Sequence, residues 1–95
     1  MYIIKYDKQA VKDIKNLKGA KLDVKAKTLI EILRRNPLEP LCEELVGNLS
    51  GLYSRRINIQ HRLVYEIVNE EVIVNEVKYE GTVKIIRMWT HYDKL

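Results

Sequence analysis

The 95-residue sequence is poor in cysteine and contains no long apolar segment. Cys42 is its only cysteine, so neither an intrachain disulfide nor a thiolate metal cluster can form. No apolar run approaches the roughly 20 residues that span a bilayer. The segment from Met1 to Lys5 also lacks the basic-then-apolar order of a signal peptide. We therefore expect a cytoplasmic protein that has no membrane partner.

The length of the chain suits one compact domain and is too short for two, so we predict a single domain over residues 1–95. Its net charge of +4 is unevenly distributed, because residues 1–36 hold eight lysines and two arginines against four acids. This basic segment suits a polyanion such as RNA. Scattered lysines more often mark a solvated helix surface, however, and charge alone does not decide between the two interpretations.

The N-terminal third of the chain has one strand pattern followed by two helix patterns. Tyr2–Tyr6 is short, apolar and rich in β-formers, which predicts a first strand. Asp7 can cap a helix whose apolar residues recur at helical spacing until Gly19 ends it. A second helix is predicted over Lys21–Arg35, because Asn36-Pro37 disfavours its continuation. The two helices should form a hairpin.

The rest of the chain is rich in strand signals. Residues 37–51 are punctuated by proline and glycine and predict a loop. Four segments dense in β-branched and aromatic residues predict strands: Arg55–Ile59, Leu63–Val68, Val72–Val77 and Val83–Trp89. Residues 69–71 and 79–81 have the composition of hairpin turns. This order of elements predicts an α+β fold in which helices cover one face of an antiparallel sheet.

Three separated motifs stand out in the chain. Residues 48–65, NLSGLYSRRINIQHRLVY, hold a Ser-Arg-Arg-Ile run that leads through a turn into His-Arg-Leu-Val-Tyr. Glu43–Gly47 holds a Glu-x-Leu run before the predicted sheet, and residues 88–92, MWTHY, end in His-Tyr. Together these motifs, which cover about a third of the chain, resemble those of the YoeB/Txe toxins of the RelE/ParE superfamily. The resemblance implies a RelE-like fold, with an N-terminal strand and helical hairpin packed on an antiparallel sheet of four to five strands.

The same resemblance implies a function. Members of this family are ribosome-dependent endoribonucleases that cleave mRNA in the A site and so inhibit translation, without a metal or another cofactor. It also implies a YefM-like antitoxin as protein partner, the ribosome and mRNA as targets, and operator DNA only through the antitoxin complex. YoeB-like toxins can form homodimers, but no residue in this sequence decides whether this chain does.

Cleaving RNA without a metal requires a base for the 2′-OH, an acid for the leaving 5′-oxygen, and cations beside the phosphate. The resemblance assigns these roles to Glu43, His91 and Arg62, with Arg55 and Arg56 nearby. His91 suits the acid because the ordinary pKa of histidine lies near neutrality. Predicted contacts with RNA or its phosphates add the turn residue His61 and Tyr92, which can stack on a base.

Several of these residues have alternative interpretations. Glu44 is a neighbouring candidate for the base, whereas Glu39 lies four residues too far from the following motif. A structural role for Arg62 would be an ion pair with Glu66 or Glu76, since a charge on a central strand needs a partner. Strict strand alternation would place Arg55 and Arg56 on opposite faces.

On the last strand, the same alternation puts Arg87, Trp89 and His91 on one face and Ile86 and Met88 on the other, core-like face. A polar, aromatic face on the terminal strand would suit an RNA site.

Two other functions are compatible with this fold. One is a ParE-like toxin that inhibits DNA gyrase by binding and has no need of Glu43 or His91. The other is an inactive module that only binds the antitoxin. The pair of Glu43 and His91 favours the nuclease over both.

Overall fold

A computed structural model describes residues 1–90. Strand β1 (Tyr2–Tyr6) is followed by helices α1 (Lys8–Gly19) and α2 (Asp23–Arg35). The remaining strands are β2 (Glu43–Glu44), β3 (Leu52–Arg56), β4 (Arg62–Val68), β5 (Val72–Val74), β6 (Val77–Tyr79) and β7 (Gly81–Thr90). A single 3-10 turn, Gly47–Leu49, lies between β2 and β3.

Five of the strands form one sheet in the order β1-β7-β4-β3-β2. All neighbours in it are antiparallel except β1 and β7, which are parallel. Strands β5 and β6 pair only with each other and form a separate two-stranded ribbon. The α+β prediction is therefore confirmed, with a mostly antiparallel sheet of five strands. Among residues 1–90, no helix is both long and apolar enough to span a membrane.

The two helices cover one face of this sheet. Asp7 caps α1 as predicted, since its carboxylate accepts a hydrogen bond from the backbone N–H of Lys8 at 3.0 Å. Helix α2 ends where predicted, at Arg35 before Asn36-Pro37. The buried apolar core is formed by residues of both helices and of strands β4 and β7, among them Ala10, Leu17, Ala26, Ile30, Leu33, Leu63, Tyr65, Val83, Ile85 and Met88.

The structure corrects several predicted boundaries. Helix α2 begins at Asp23 rather than Lys21, which adopts a positive φ of 60° in the connection. Strand β3 covers Leu52–Arg56 rather than Arg55–Ile59. The predicted strand over residues 72–77 is interrupted by Asn75 and Glu76, which both have positive φ and form the turn of the ribbon. Residues 69–71 and 79–81 therefore do not form the predicted hairpin turns, because β5 and β6 pair with each other rather than with β4 and β7.

The alternation predicted for the last strand is also wrong. The pairing of β4 with β7 shifts register between Arg62 and Val64 and again between Val64 and Tyr65. Such irregularities add residues to one strand and reorient the side chains beyond them. Met88 is accordingly in the core as expected, but Trp89 also packs against the core and Ile86 does not.

Candidate functional site

The face of the sheet opposite the helices brings together two of the predicted catalytic residues. Glu43 lies on the edge strand β2 and Arg62 begins the central strand β4. The Arg62 Nη1 atom is 3.1 Å from the Glu43 Oε1 atom, and it also donates a hydrogen bond to the Ser54 hydroxyl at 3.3 Å. Ser54 is fully buried and lies directly opposite Glu43 in the β2–β3 register. Arg62 is therefore held in place from two sides.

The two members of this ion pair differ in exposure. The Glu43 side chain is 55% exposed, whereas the Arg62 side chain is only 13% exposed. A carboxylate that is open to solvent can accept a proton from a bound ligand, while a guanidinium held by fixed partners can offset negative charge beside it. The ion pair of Arg62 with Glu43 takes the place of the expected alternatives, Glu66 and Glu76. Glu44, the neighbouring candidate, is exposed and pairs across the sheet with Tyr53.

Arg55 and Arg56 lie on opposite faces of β3, as the strand pattern predicts. Arg56 is exposed and is the direct cross-strand partner of Arg62. Arg55 is 5% exposed, and its Nη1 atom donates a hydrogen bond to the backbone carbonyl of Glu39 at 3.0 Å. This bond attaches the loop after α2 to the sheet, so Arg55 has a structural role. Both arginines and Glu43 line a pocket of about 320 Å³ that also includes Leu29 of α2 and Leu41.

His61 stands at the end of the turn between β3 and β4. Its backbone N–H donates to the Asn58 side-chain oxygen at 2.7 Å, which shapes the turn. Its imidazole stacks on the indole of Trp89, with ring centroids 3.8 Å apart and planes inclined by 14°. The stack joins this turn to β7 immediately beside Arg62. A contact between His61 and RNA remains a prediction.

His91 and Tyr92 lie outside the described residues. The last described residue, Thr90, is the register partner of Arg62 across the β4–β7 pair. The proposed roles of His91 as acid and of Tyr92 as a stacking residue remain predictions. Among residues 1–90, no three His, Cys, Asp or Glu side chains are grouped as metal ligands.

A buried ion pair supports the site from the helical side and was missed in the sequence. Asp13 of α1 is fully buried, and its carboxylate accepts hydrogen bonds from Arg87 Nε and from the backbone N–H of Met88, both at 2.9 Å. These bonds join α1 to the part of β7 that leads towards Thr90. The signal in the sequence was a lone acid on the apolar stripe of α1, between Ala10 and Leu17.

A second buried polar contact fixes the loop that precedes β2. The Tyr65 hydroxyl donates a hydrogen bond to the backbone carbonyl of Pro37 at 2.7 Å. Burial raises the pKa of the Tyr65 phenol well above its ordinary value, and the neighbouring Cys42 adds to the rise. The Tyr65 ring also stacks with Tyr53, with centroids 5.9 Å apart. The loop is therefore anchored to the sheet at Pro37, a few residues before Cys42 and Glu43.

Comparison with solved structures shows the same architecture in bacterial toxins. The structure of a YoeB dimer from Staphylococcus aureus is 34% identical and superimposes with a TM-score of 0.70, over 96% of this chain and 98% of that chain. A heterotetrameric YoeB–YefM toxin–antitoxin complex from the same organism is 33% identical, with a TM-score of 0.69 and coverage of 97% and 99%. The fold is thus that of the RelE/YoeB-like toxins.

Sequence comparison identifies the family. The model of the YoeB-like toxin of bacterial type II toxin–antitoxin systems matches residues 2–92. The chain therefore belongs to the YoeB-like toxin family. A toxin YoeB from Synechocystis is 40% identical over 53 residues, which is 54% of this chain. That match spans 62% of the length of the Synechocystis protein.

Proposed function

We propose that this chain is a ribosome-dependent endoribonuclease that cleaves mRNA in the A site by acid–base catalysis without a metal, and so inhibits translation. The contact between Glu43 and Arg62 is the observation that carries the proposal. Because the two side chains touch, a phosphate bound to the guanidinium of Arg62 also lies within reach of the Glu43 carboxylate. Family membership supports the same assignment.

The proposed reaction needs one proton acceptor and one proton donor. Glu43 takes the proton from the 2′-OH, and the 2′-oxygen attacks the adjacent phosphorus. Arg62 offsets the charge of the phosphorane-like transition state. The bond from phosphorus to the 5′-oxygen then breaks, and His91 supplies the proton to that oxygen. The products are a 2′,3′-cyclic phosphate and a 5′-hydroxyl end. The pairing of Thr90 with Arg62 in the β4–β7 register supports this role for His91, because His91 is the next residue in the chain.

A reconstituted translation system tests this proposal. Wild-type protein should cleave a translated mRNA and leave 2′,3′-cyclic phosphate ends in the presence of a chelator. Glu43→Gln should reduce the rate about 10²- to 10⁴-fold, the usual contribution of a general base. Glu44→Gln is the matched control, since Glu44 is adjacent and exposed but makes no ion pair with a described residue. Equal loss in both variants would contradict the role of Glu43.

The ribosome dependence has its own test. The few cations at the site are too sparse to hold free RNA at cellular salt. Naked mRNA should therefore be cut far more slowly than translated mRNA, and equal rates would contradict the proposal. His91→Ala should abolish toxicity to growing cells if the chain is a nuclease. A gyrase inhibitor of the ParE type, or an inactive module, would be unaffected by that substitution.

We also propose that a YefM-like antitoxin binds this chain, and that the chain contacts operator DNA only as part of the toxin–antitoxin complex. A homodimer is a second proposed assembly. The Staphylococcus aureus structures of a YoeB–YefM complex and of a YoeB dimer support this proposal. Leu41, Val46 and Ile59 are each more than 80% exposed, and Leu41 and Val46 lie a few residues on either side of β2 in the chain. Contiguous exposed apolar patches mark protein interfaces, and we propose that Leu41 and Val46 belong to such a patch. Substituting Leu41→Asp and Val46→Asp together should weaken the antitoxin complex.

A further inference from the structure

Ser54 is a polar residue at a position where a strand usually carries an apolar one. It lies on β3, which has β4 on one side and β2 on the other, and its side chain is fully buried. β-Branched and aromatic residues are the usual occupants of such strand positions. A hydroxyl that is buried there needs a hydrogen-bonding partner, and the guanidinium of Arg62 provides one at 3.3 Å. The contact with Arg62 therefore accounts for the serine.

The Arg62 side chain must cross β3 to reach Glu43. Arg62 begins β4 and Glu43 lies on β2, and β3 separates these two strands. Ser54 is directly opposite Glu43 in the β2–β3 register. It lies two residues along β3 from Arg56, the direct partner of Arg62. Residues two apart on a strand share a face, so the Arg62 side chain runs diagonally over Ser54. A larger side chain at position 54 would occupy this path.

Both contacts of Arg62 use the same nitrogen atom. The Nη1 atom donates to Glu43 Oε1 at 3.1 Å and to Ser54 Oγ at 3.3 Å, and it carries two hydrogens for these two bonds. The two acceptors differ in charge, because the strength of the Glu43 contact depends on an ionised carboxylate and the serine hydroxyl is neutral. In the proposed reaction Glu43 takes up a proton and loses its negative charge. The bond to Ser54 does not depend on that charge.

We infer that Ser54 is a positioning residue, whose hydroxyl keeps the Arg62 guanidinium beside the phosphate once Glu43 has been protonated. The ionic attraction between Glu43 and Arg62 disappears at the moment when negative charge develops on the phosphate. Arg62 stabilises that charge only if it is already held in place, because a preorganised cation needs no rearrangement during the reaction. This inference deepens the proposed function and rests on it, since it takes Glu43 as the base.

Single-turnover cleavage in the reconstituted translation system tests this inference. Ser54→Ala removes the hydroxyl and leaves the path of Arg62 open. Its maximal rate should fall about tenfold or more, which is the effect of losing a hydrogen bond to a charged group. The ribosome concentration at half-maximal rate should change less than about twofold, because the ion pair with Glu43 still holds Arg62 before the reaction. Ser50→Ala is the matched control, since Ser50 is the other serine of the chain and is exposed. It should change neither value more than about twofold.

Two larger variants separate the hydroxyl from the size of the side chain. Threonine and valine have nearly the same shape, but only threonine has a hydroxyl. Both add atoms at a buried position, so both variants should be slower than the wild type. Ser54→Thr should nevertheless cleave about tenfold faster than Ser54→Val. Equal rates in these two variants would overturn the inference. So would a loss of rate in Ser54→Ala that is fully matched by a smaller folded fraction in thermal unfolding.

A measurement without RNA separates the role of Ser54 from the proposed function. Glutamine has the shape of a protonated glutamate, so Glu43→Gln reproduces the neutral state in the free protein. In that variant the nuclear magnetic resonance order parameter of the Arg62 Nε–H bond should stay above about 0.6, and adding Ser54→Ala should lower it below that value. An Arg62 side chain that is equally ordered in both proteins would overturn the inference. If the wild type does not cleave RNA, the proposed function fails, and this measurement still decides whether Ser54 holds Arg62.

Discussion

Replacing Asp13 with alanine should be among the most damaging single changes in this fold. The Asp13 carboxylate is fully buried and accepts two hydrogen bonds at 2.9 Å, one from Arg87 and one from the backbone of Met88. Removing one partner of a buried ion pair costs about 3–5 kcal/mol. Arg87 remains 22% exposed and can be partly hydrated, which places the expected loss at the lower end. A buried N–H at Met88 without an acceptor adds to it.

We therefore expect Asp13→Ala to lower the free energy of unfolding by about 3–4 kcal/mol. For a domain of this size, that loss lowers the melting temperature by about 15–25 °C. Asp13→Asn keeps an acceptor for Met88 and should lose only about 1–2 kcal/mol. Urea unfolding, followed by the fluorescence of Trp89, measures both values.

The matched control is Asp23→Ala, which removes an aspartate from the first turn of α2 and should cost less than about 1 kcal/mol. A loss below about 1 kcal/mol for Asp13→Ala would refute the reasoning, because the buried pair would then contribute no more than a surface charge.

Two further predictions concern the sheet. Tyr65→Phe should lose about 1–2 kcal/mol at neutral pH, because the Pro37 carbonyl loses its donor. Burial raises the pKa of Tyr65 in the folded state, so the wild type should be more stable than Tyr65→Phe below the ordinary tyrosine pKa of about 10, and this stability difference should shrink as the pH rises above it. Midpoints of urea unfolding from pH 8 to 11 measure the difference for both proteins. A stability difference that stays constant over this range would contradict the prediction. Gly81→Ala should lower the free energy of unfolding by about 1–3 kcal/mol, because the added Cβ would overlap the Val68 carbonyl oxygen. An unchanged melting temperature would contradict this prediction, because it would mean that β7 can shift to make room for the Cβ.

Local sequence patterns were sufficient to predict the helices and the central strands. Apolar spacing and the cap at Asp7 located α1, and the proline after Asn36 located the end of α2. The β2 strand was missed because two exposed glutamates have no strand pattern, and their pairing comes from β3. The ribbon turn at Asn75–Glu76 was missed because it lacks the glycine that usually marks such turns.

The site could be predicted only in part, because its contacts are long-range. Glu43 and Arg62 are 19 residues apart, and Asp13 and Arg87 are 74 residues apart. Local periodicity in a sequence gives no information about contacts between residues that are so far apart in the chain. The resemblance to known toxins selected the first pair, and the second had only the clue of an acid on an apolar stripe. The misassigned side chains of β7 follow from its register shifts, which strict alternation cannot anticipate.

The most direct test of the central claim is a double-mutant cycle on the rate of mRNA cleavage at saturating ribosomes, with Glu43→Gln, Arg62→Lys and the combined variant. If both side chains act on one phosphodiester, each single variant should be slower by at least about 100-fold, and the combined variant should be little slower than the worse single one. Wild-type rates in Glu43→Gln, or losses that simply multiply in the combined variant, would contradict it.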